Sequence, residues 1–336
     1  MRSWAVMLLM MLSAFAGSGR CQGAPPLEPA GEFKLPADIG GGFDHFGVDV
    51  NGRRLFLAAE GYKAVLVLDL DSGKLLHVIH GLERPHAILY RQDLHRLYIT
   101  DGGAGGVKIF DSRNYRLLQF VKLRVDSDSI CYDRASGDLY VDNGGKEAHQ
   151  IFSFVSIVDT GRDRKAGDIK IDGDTLEAMR LQRSGPLLFV NNPAKNQVEV
   201  INRQSRKIMS AWPVTKGRRN VAMAFDEAHH RLFLGCRSGQ IVVMNTETGK
   251  EVRALPIGQG VDDLSFDPAS QRVYASCHDA VYVYRETSPD QYASLGNVSS
   301  GPGGRTSRLV PQLHRFFVAV PRHGSTPAEV LVYDAE

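Results

Sequence analysis

Residues 220–257 read NVAMAFDEAHHRLFLGCRSGQIVVMNTETGKEVRALPI, and this stretch decides the fold. Met223–Phe225 is a short apolar run, closed by the turn residues Asp226–His230. Arg231–Gly235 and Ile241–Asn245 are a second and a third run. A tight turn, Thr246–Lys250, leads to the fourth, Glu251–Ile257. Short runs rich in β-branched and aromatic residues, separated by Gly and Asp turns, make an antiparallel four-stranded meander.

The unit recurs along the chain. Leu232 matches Leu55, Leu97, Leu139, Leu188, Val273 and Phe316, which makes seven copies. A spacing of roughly 42 residues with four strands per copy is the signature of a propeller blade. One blade cannot bury both faces of its sheet, so blades stack radially, and seven suit a closed ring. The expectation is an all-β, seven-bladed β-propeller of four-stranded antiparallel blades over residues 32–336. The chain ends in a run of third-strand type, Val330–Asp334, while Glu32–Ile39 precedes the first complete blade. Its Lys34–Pro36 echoes Ala254–Pro256 of a fourth strand, so this N-terminal segment is predicted to close blade seven. Blade three is long, with His149–Ser153 read as a loop between its second and third strands.

The first residues are of another kind. Arg2 precedes the apolar run Trp4–Leu12, and Ala14–Ala16 fits a small-x-small cleavage site, so residues 1–16 read as a secretory signal peptide. Residues 17–31 read as a linker. The apolar run is too short for a membrane span, and no later window approaches one. Arg20 before Cys21 argues against a lipoprotein. The implied location is periplasmic or secreted. Forty Lys and Arg stand against 38 Asp and Glu, which gives no basic field for nucleic acid. A monomer is expected. Cys131, Cys236 and Cys277 show no metal spacing. A Cys236–Cys277 bridge is conceivable, but equivalent strands of adjacent blades stand too far apart for it, so these two are read as buried free thiols.

Several segments resemble the bacterial YVTN-type, YncE-like β-propeller repeat family: Asp44–Asp49, Gly73–Leu76, Asn220–Arg237, Asp262–Asp267, Arg305–Ser307 and Val310–Gly324. The resemblance implies a seven-bladed ring in an exported bacterial protein. It implies no particular reaction. Where the family pattern suggests Asn after the acidic residue of blade three, this chain carries Ser129.

The register then isolates a polar column. The residue eleven before each anchor is Asp44, His86, Asp128, Glu177, Val221, Asp262 and Arg305. His45, Asp263 and Thr306 follow in the next column, and Asn220 flanks Val221. One offset in a radial repeat occupies one height, so these residues are expected around the mouth of the central channel. Two readings fit. Polar residues at the start of inner strands can serve backbone and channel water. Alternatively they form a ligand site, because clustered carboxylates repel one another unless a cation, a proton or Arg305 compensates. Oxygen donors from Asp128, Glu177, Asn220 and Asp262 would suit a divalent cation, Ca²⁺ or Mg²⁺. Glu177, Asn220 and Asp262 would form an arc on consecutive blades, with His45 or His86 as a general base or softer ligand. Asp101, Asn143, Asn192, Cys236 and Cys277, four residues after their anchors, read as strand-end turn residues. His229 and His230 read as solvated, in a turn at the far end of blade five.

No nucleophile elbow, P-loop, HExxH or haem-attachment motif is present. The first functional reading is a binding or interaction propeller that uses its mouth for a small ligand or protein partner. The alternative is a metal-dependent hydrolase or lyase, lactonase-like, at the same place. A redox propeller ranks last for want of a cofactor slot.

Overall fold

The computed structural model describes residues 25–335. The expected signal peptide, and the linker up to residue 24, lie outside the described residues. The described chain forms seven four-stranded antiparallel sheets arranged as blades in a ring. Blade five shows the pattern, with strands Asn220–Asp226, Arg231–Cys236, Gln240–Asn245 and Glu251–Pro256 from axis to rim.

Burial explains the repeat. All seven anchors, Leu55, Leu97, Leu139, Leu188, Leu232, Val273 and Phe316, are fully buried. Each sits on a second strand, sandwiched between neighbouring blades, so both of its faces need apolar or small residues. The hairpin before the anchor is built alike in most copies. Arg53, His95, His230, Gln271 and His314, two residues before their anchors, take left-handed backbone conformations. Asp49, Asp133, Asp226 and Asp267 cap these turns by accepting backbone N–H groups, as in Asp226 Oδ1 with Ala228 N at 3.1 Å. The side-chain oxygen satisfies a donor that the reversing chain would otherwise strand.

The ring closes through the N-terminus. Glu28–Lys34 pairs antiparallel with Glu329–Asp334 as the outer strand of blade seven. The closing strand is therefore shifted from the expected Glu32–Ile39 and takes in residues 28–31 of the expected linker. Its register is pinned by side chains rather than by the Leu-Pro echo. Phe33 and Leu35 are buried beside Phe317 and Val330, and Phe33 lies 6.1 Å from the Phe317 ring. Pro36 lacks an N–H, and the chain leaves the sheet there. On the axial side, Thr306 Oγ1 donates to Phe43 O, which ties blade seven to blade one.

Blade three carries its extra length as a 3-10 turn, Gly145–Ala148, and its third strand starts at Phe152, inside the expected loop. Cys131, Cys236 and Cys277 are free thiols, and burial pushes Cys236 and Cys277 up to about 12.

Candidate functional site at the channel mouth

The first strands converge on the axis, and their starts enclose a cavity of about 330 Å³. Asp44, His45, Asp128, Glu177, Asp262, Asp263 and Arg305 line it. His86 lies just behind, buried, with Nδ1 donating to Asp44 Oδ2. Eight of the nine expected residues are thus brought together. Asn220 is not. It is fully buried and donates from Nδ2 to Asn191 Oδ1 at 2.7 Å and Gln197 O at 2.9 Å. The pairing register slips between Asn220 and Ala222, and Val221 faces the cavity instead. Such an irregularity reverses the alternation of side chains, so the amide is turned into the blade.

The expected oxygen arc of Glu177, Asn220 and Asp262 is therefore not assembled. Arg237 stands in its place. It donates from Nη2 to Asp262 Oδ1 at 2.8 Å, and Arg305 Nε lies 3.3 Å from Asp262 Oδ2. A different donor set forms across the ring. Ligand atoms of Asp44, His45 and Asp128 lie within 4.8 Å of one another. His45 bridges two carboxylates, with Nε2 3.4 Å from Asp44 Oδ1 and Nδ1 3.2 Å from Asp263 Oδ1. Asp263 also accepts Ser307 N–H at 2.7 Å.

The electrostatics divide the mouth. Burial opposes charge on both histidines, but the neighbouring carboxylates win. Asp44 and Asp263 hold His45 protonated, and Asp128 with Asp44 lifts His86 to about 9. The same contacts overcome burial at Asp44 and keep it well below the usual carboxylate range. On the other side compensation fails. Burial and the Asp128 charge push Glu177 up to about 8. Asp142, buried, is also raised, by burial and then by Asp128 and Glu177, and its Oδ1 finds no partner among the described residues. Asp126 is raised to about 6 by burial and Asp128.

Below this rim two arginines face the channel. Arg180 and Arg308 line the same cavity, and neither makes an ion pair with a carboxylate among the described residues. Arg308 is exposed where it faces the cavity. Burial weakens the proton's hold on both, and on Arg308 Arg180 adds like-charge repulsion.

Four charged cavity residues were missed by the reading of the sequence, and two columns would have found them. Glu60 and Arg237 each stand five residues after an anchor, and Arg180 and Arg308 eight residues before one. The set four residues after the anchor is buried and structural. Asp101 accepts Glu83 N, Arg84 N and Lys108 Nζ, while Asn192 donates to Asp172 O and Glu199 Oε1.

The fold and this mouth define a seven-bladed β-propeller with a charged axial cavity. No family model matches the chain, and no curated protein matches it. Among solved structures it is similar to Kuenenia stuttgartiensis hydrazine synthase, at 15% identity and a TM-score of 0.75, over 90% of this chain and 98% of that one. It is also similar to the structure of U3-55K, at 11% identity and a TM-score of 0.72, over 90% of this chain and 99% of that one. At such identities the likeness shows the fold alone.

Proposed function

We propose that the chain is an exported binding propeller of the YVTN type, whose mouth takes a small ligand carrying a cationic group above an anionic one. The observation behind this reading is the polarity of the cavity. Among the described residues, Asp128 and Glu177 stand at the rim without a paired guanidinium, and Arg180 and Arg308 stand below without a paired carboxylate. An acidic rim, where Glu177 keeps its proton at neutral pH, and two guanidiniums at a lower depth are satisfied together by a dipolar ligand that takes the place of that proton. Glu177 precedes the strand Met179–Leu181 that carries Arg180, three residues on, so at most about 10 Å of backbone separates them. The volume suits a compact molecule.

The test is calorimetric titration with ω-amino acids of increasing length, from 3-aminopropanoate to 8-aminooctanoate, beside hexylamine and hexanoate. One length should bind saturably, and better than either single-charge analogue. Glu177→Gln and Arg308→Gln should each weaken it at least tenfold. Absence of binding across the series, or wild-type affinity in Arg308→Gln, rejects the reading.

A second reading, the metal-dependent hydrolase or lyase, is favoured by the clustering of Asp44, His45 and Asp128. Two carboxylates and an imidazole can hold a divalent cation, provided His45 sheds its proton. Thermal melting with Ca²⁺, Mg²⁺ or Mn²⁺, in wild type and Asp128→Asn, decides it. No shift in the wild type removes the metal at this place.

A further inference from the structure

On the face opposite the mouth, the repeat contradicts itself at one seam. Asp49, Asp133, Asp226 and Asp267 end their first strands at equivalent places. In blade one the carboxylate is paired by Arg54, at 2.7 Å from Nη2. In blade three it is paired by Arg203, which comes from blade four. Arg203 is the residue after a third strand, and its N–H bonds to Pro186 O. The matching residue of blade six is Glu286, whose N–H bonds in the same way to Gln271 O. Asp226 of blade five therefore meets a carboxylate where Asp133 meets a guanidinium.

Among the described residues, no guanidinium relieves this. Arg231 takes the place of Arg54, but its guanidinium is turned elsewhere. It donates to Pro289 O and Asp290 Oδ1 from Nε, and to His229 O from Nη1. Tyr292 Oη lies 3.5 Å from Glu286 Oε1 but donates to Pro289 O at 2.8 Å. Glu286 Oε2 has no partner among the described residues, and the side chain is only 1% exposed. His229, expected in a solvated turn, folds inward between the two acids. Its Nδ1 is 2.6 Å from Asp226 Oδ2 and 3.8 Å from Glu286 Oε1.

We propose that Asp226, His229 and Glu286 form a divalent transition-metal site of the Zn²⁺ class that clasps blade five to blade six. One imidazole nitrogen and two carboxylate oxygens, all within 4.8 Å of one another, are a three-ligand set for a tetrahedral ion. Ligand atoms of such an ion lie roughly 3.3 Å apart, given metal–ligand distances near 2.0 Å. The two distances from His229 Nδ1 bracket that value, so a small turn of the ring equalises them. The imidazole favours a transition metal over Ca²⁺ or Mg²⁺. His229 is 39% exposed, which leaves the fourth position open to water. Arg231 is turned to Asp290, so the repulsion between the two carboxylates is met at His229, by a proton or by a dication.

The full chain, stripped with chelator, is titrated with Zn²⁺ by calorimetry and followed by thermal melting. Saturable binding is expected, with a midpoint several degrees higher at saturation. Glu286→Gln keeps the volume and removes the carboxylate repulsion, so without metal it should melt at or above wild type. It should bind Zn²⁺ at least tenfold more weakly, as should His229→Gln. Asp128→Asn, at the mouth, should leave this binding intact. The site is overturned if Glu286→Gln and His229→Gln keep wild-type Zn²⁺ affinity, or if the wild type shows no saturable binding that they remove.

Discussion

Arg237, in the loop after the second strand of blade five, donates to Asp262 of blade six at 2.8 Å across the rim of the channel. This contact replaces a ligand oxygen with a fixed cation. It commits one side of the mouth to internal pairing, while Asp128 has only His86 Nδ1, 3.8 Å away, and Glu177 has no ion-pair partner among the described residues.

Replacing Arg237 with Gln should therefore lower stability by on the order of 1–3 kcal/mol at pH 7, because Asp262 loses a charged donor while staying largely buried. Urea unfolding measures it. Since Arg305 stays near Asp262, Arg305→Gln combined with Arg237→Gln should cost more than the two separate losses added together.

The pH dependence follows from His86 and Glu177. Both hold protons in the folded state that the unfolded chain releases. His86, raised from its ordinary 6.5 to about 9, contributes stability that is complete below pH 6.5 and lost by pH 9. Glu177, raised from 4.5 to about 8, has the same sign, and its contribution fades between those values. Stability should fall between pH 6 and pH 9. Glu177→Gln should flatten the lower part of that fall and be more stable than wild type at pH 9. Chemical denaturation across the range would show a rise instead if the signs were otherwise.

Binding of a cationic group beside Glu177 should release its proton near neutral pH. Calorimetry in two buffers of different ionisation enthalpy reads this directly. The apparent enthalpy should depend on the buffer in wild type and much less in Glu177→Gln.

Ring closure rests on Phe33. Its side chain is buried against Phe317 in a strand that has blade seven on one side only. Phe33→Ala should cost about 3 kcal/mol, and deletion of residues 28–35 should cost more by exposing the edge of Glu329–Asp334. A truncated chain that melts like wild type would show that closure contributes nothing.

The seven blades, the buried anchors and the common height of Asp44, Asp128, Glu177, Asp262 and Arg305 were legible in the sequence alone. A radial repeat ties position in the unit to position along the axis, and period and apolar pattern are local properties of a chain. Direction and company are not. A slip in register beside Val221 turned Asn220 into the blade, and loops outside the column brought Glu60 and Arg237 over the mouth. The pairing of Asp226 with Glu286, sixty residues apart and on different blades, came only from packing one blade on the next. Sequence periodicity sets how high each residue stands in the ring. Contact between blades decides which charges face one another, because it depends on twist, register and the fold of loops that no single repeat encodes.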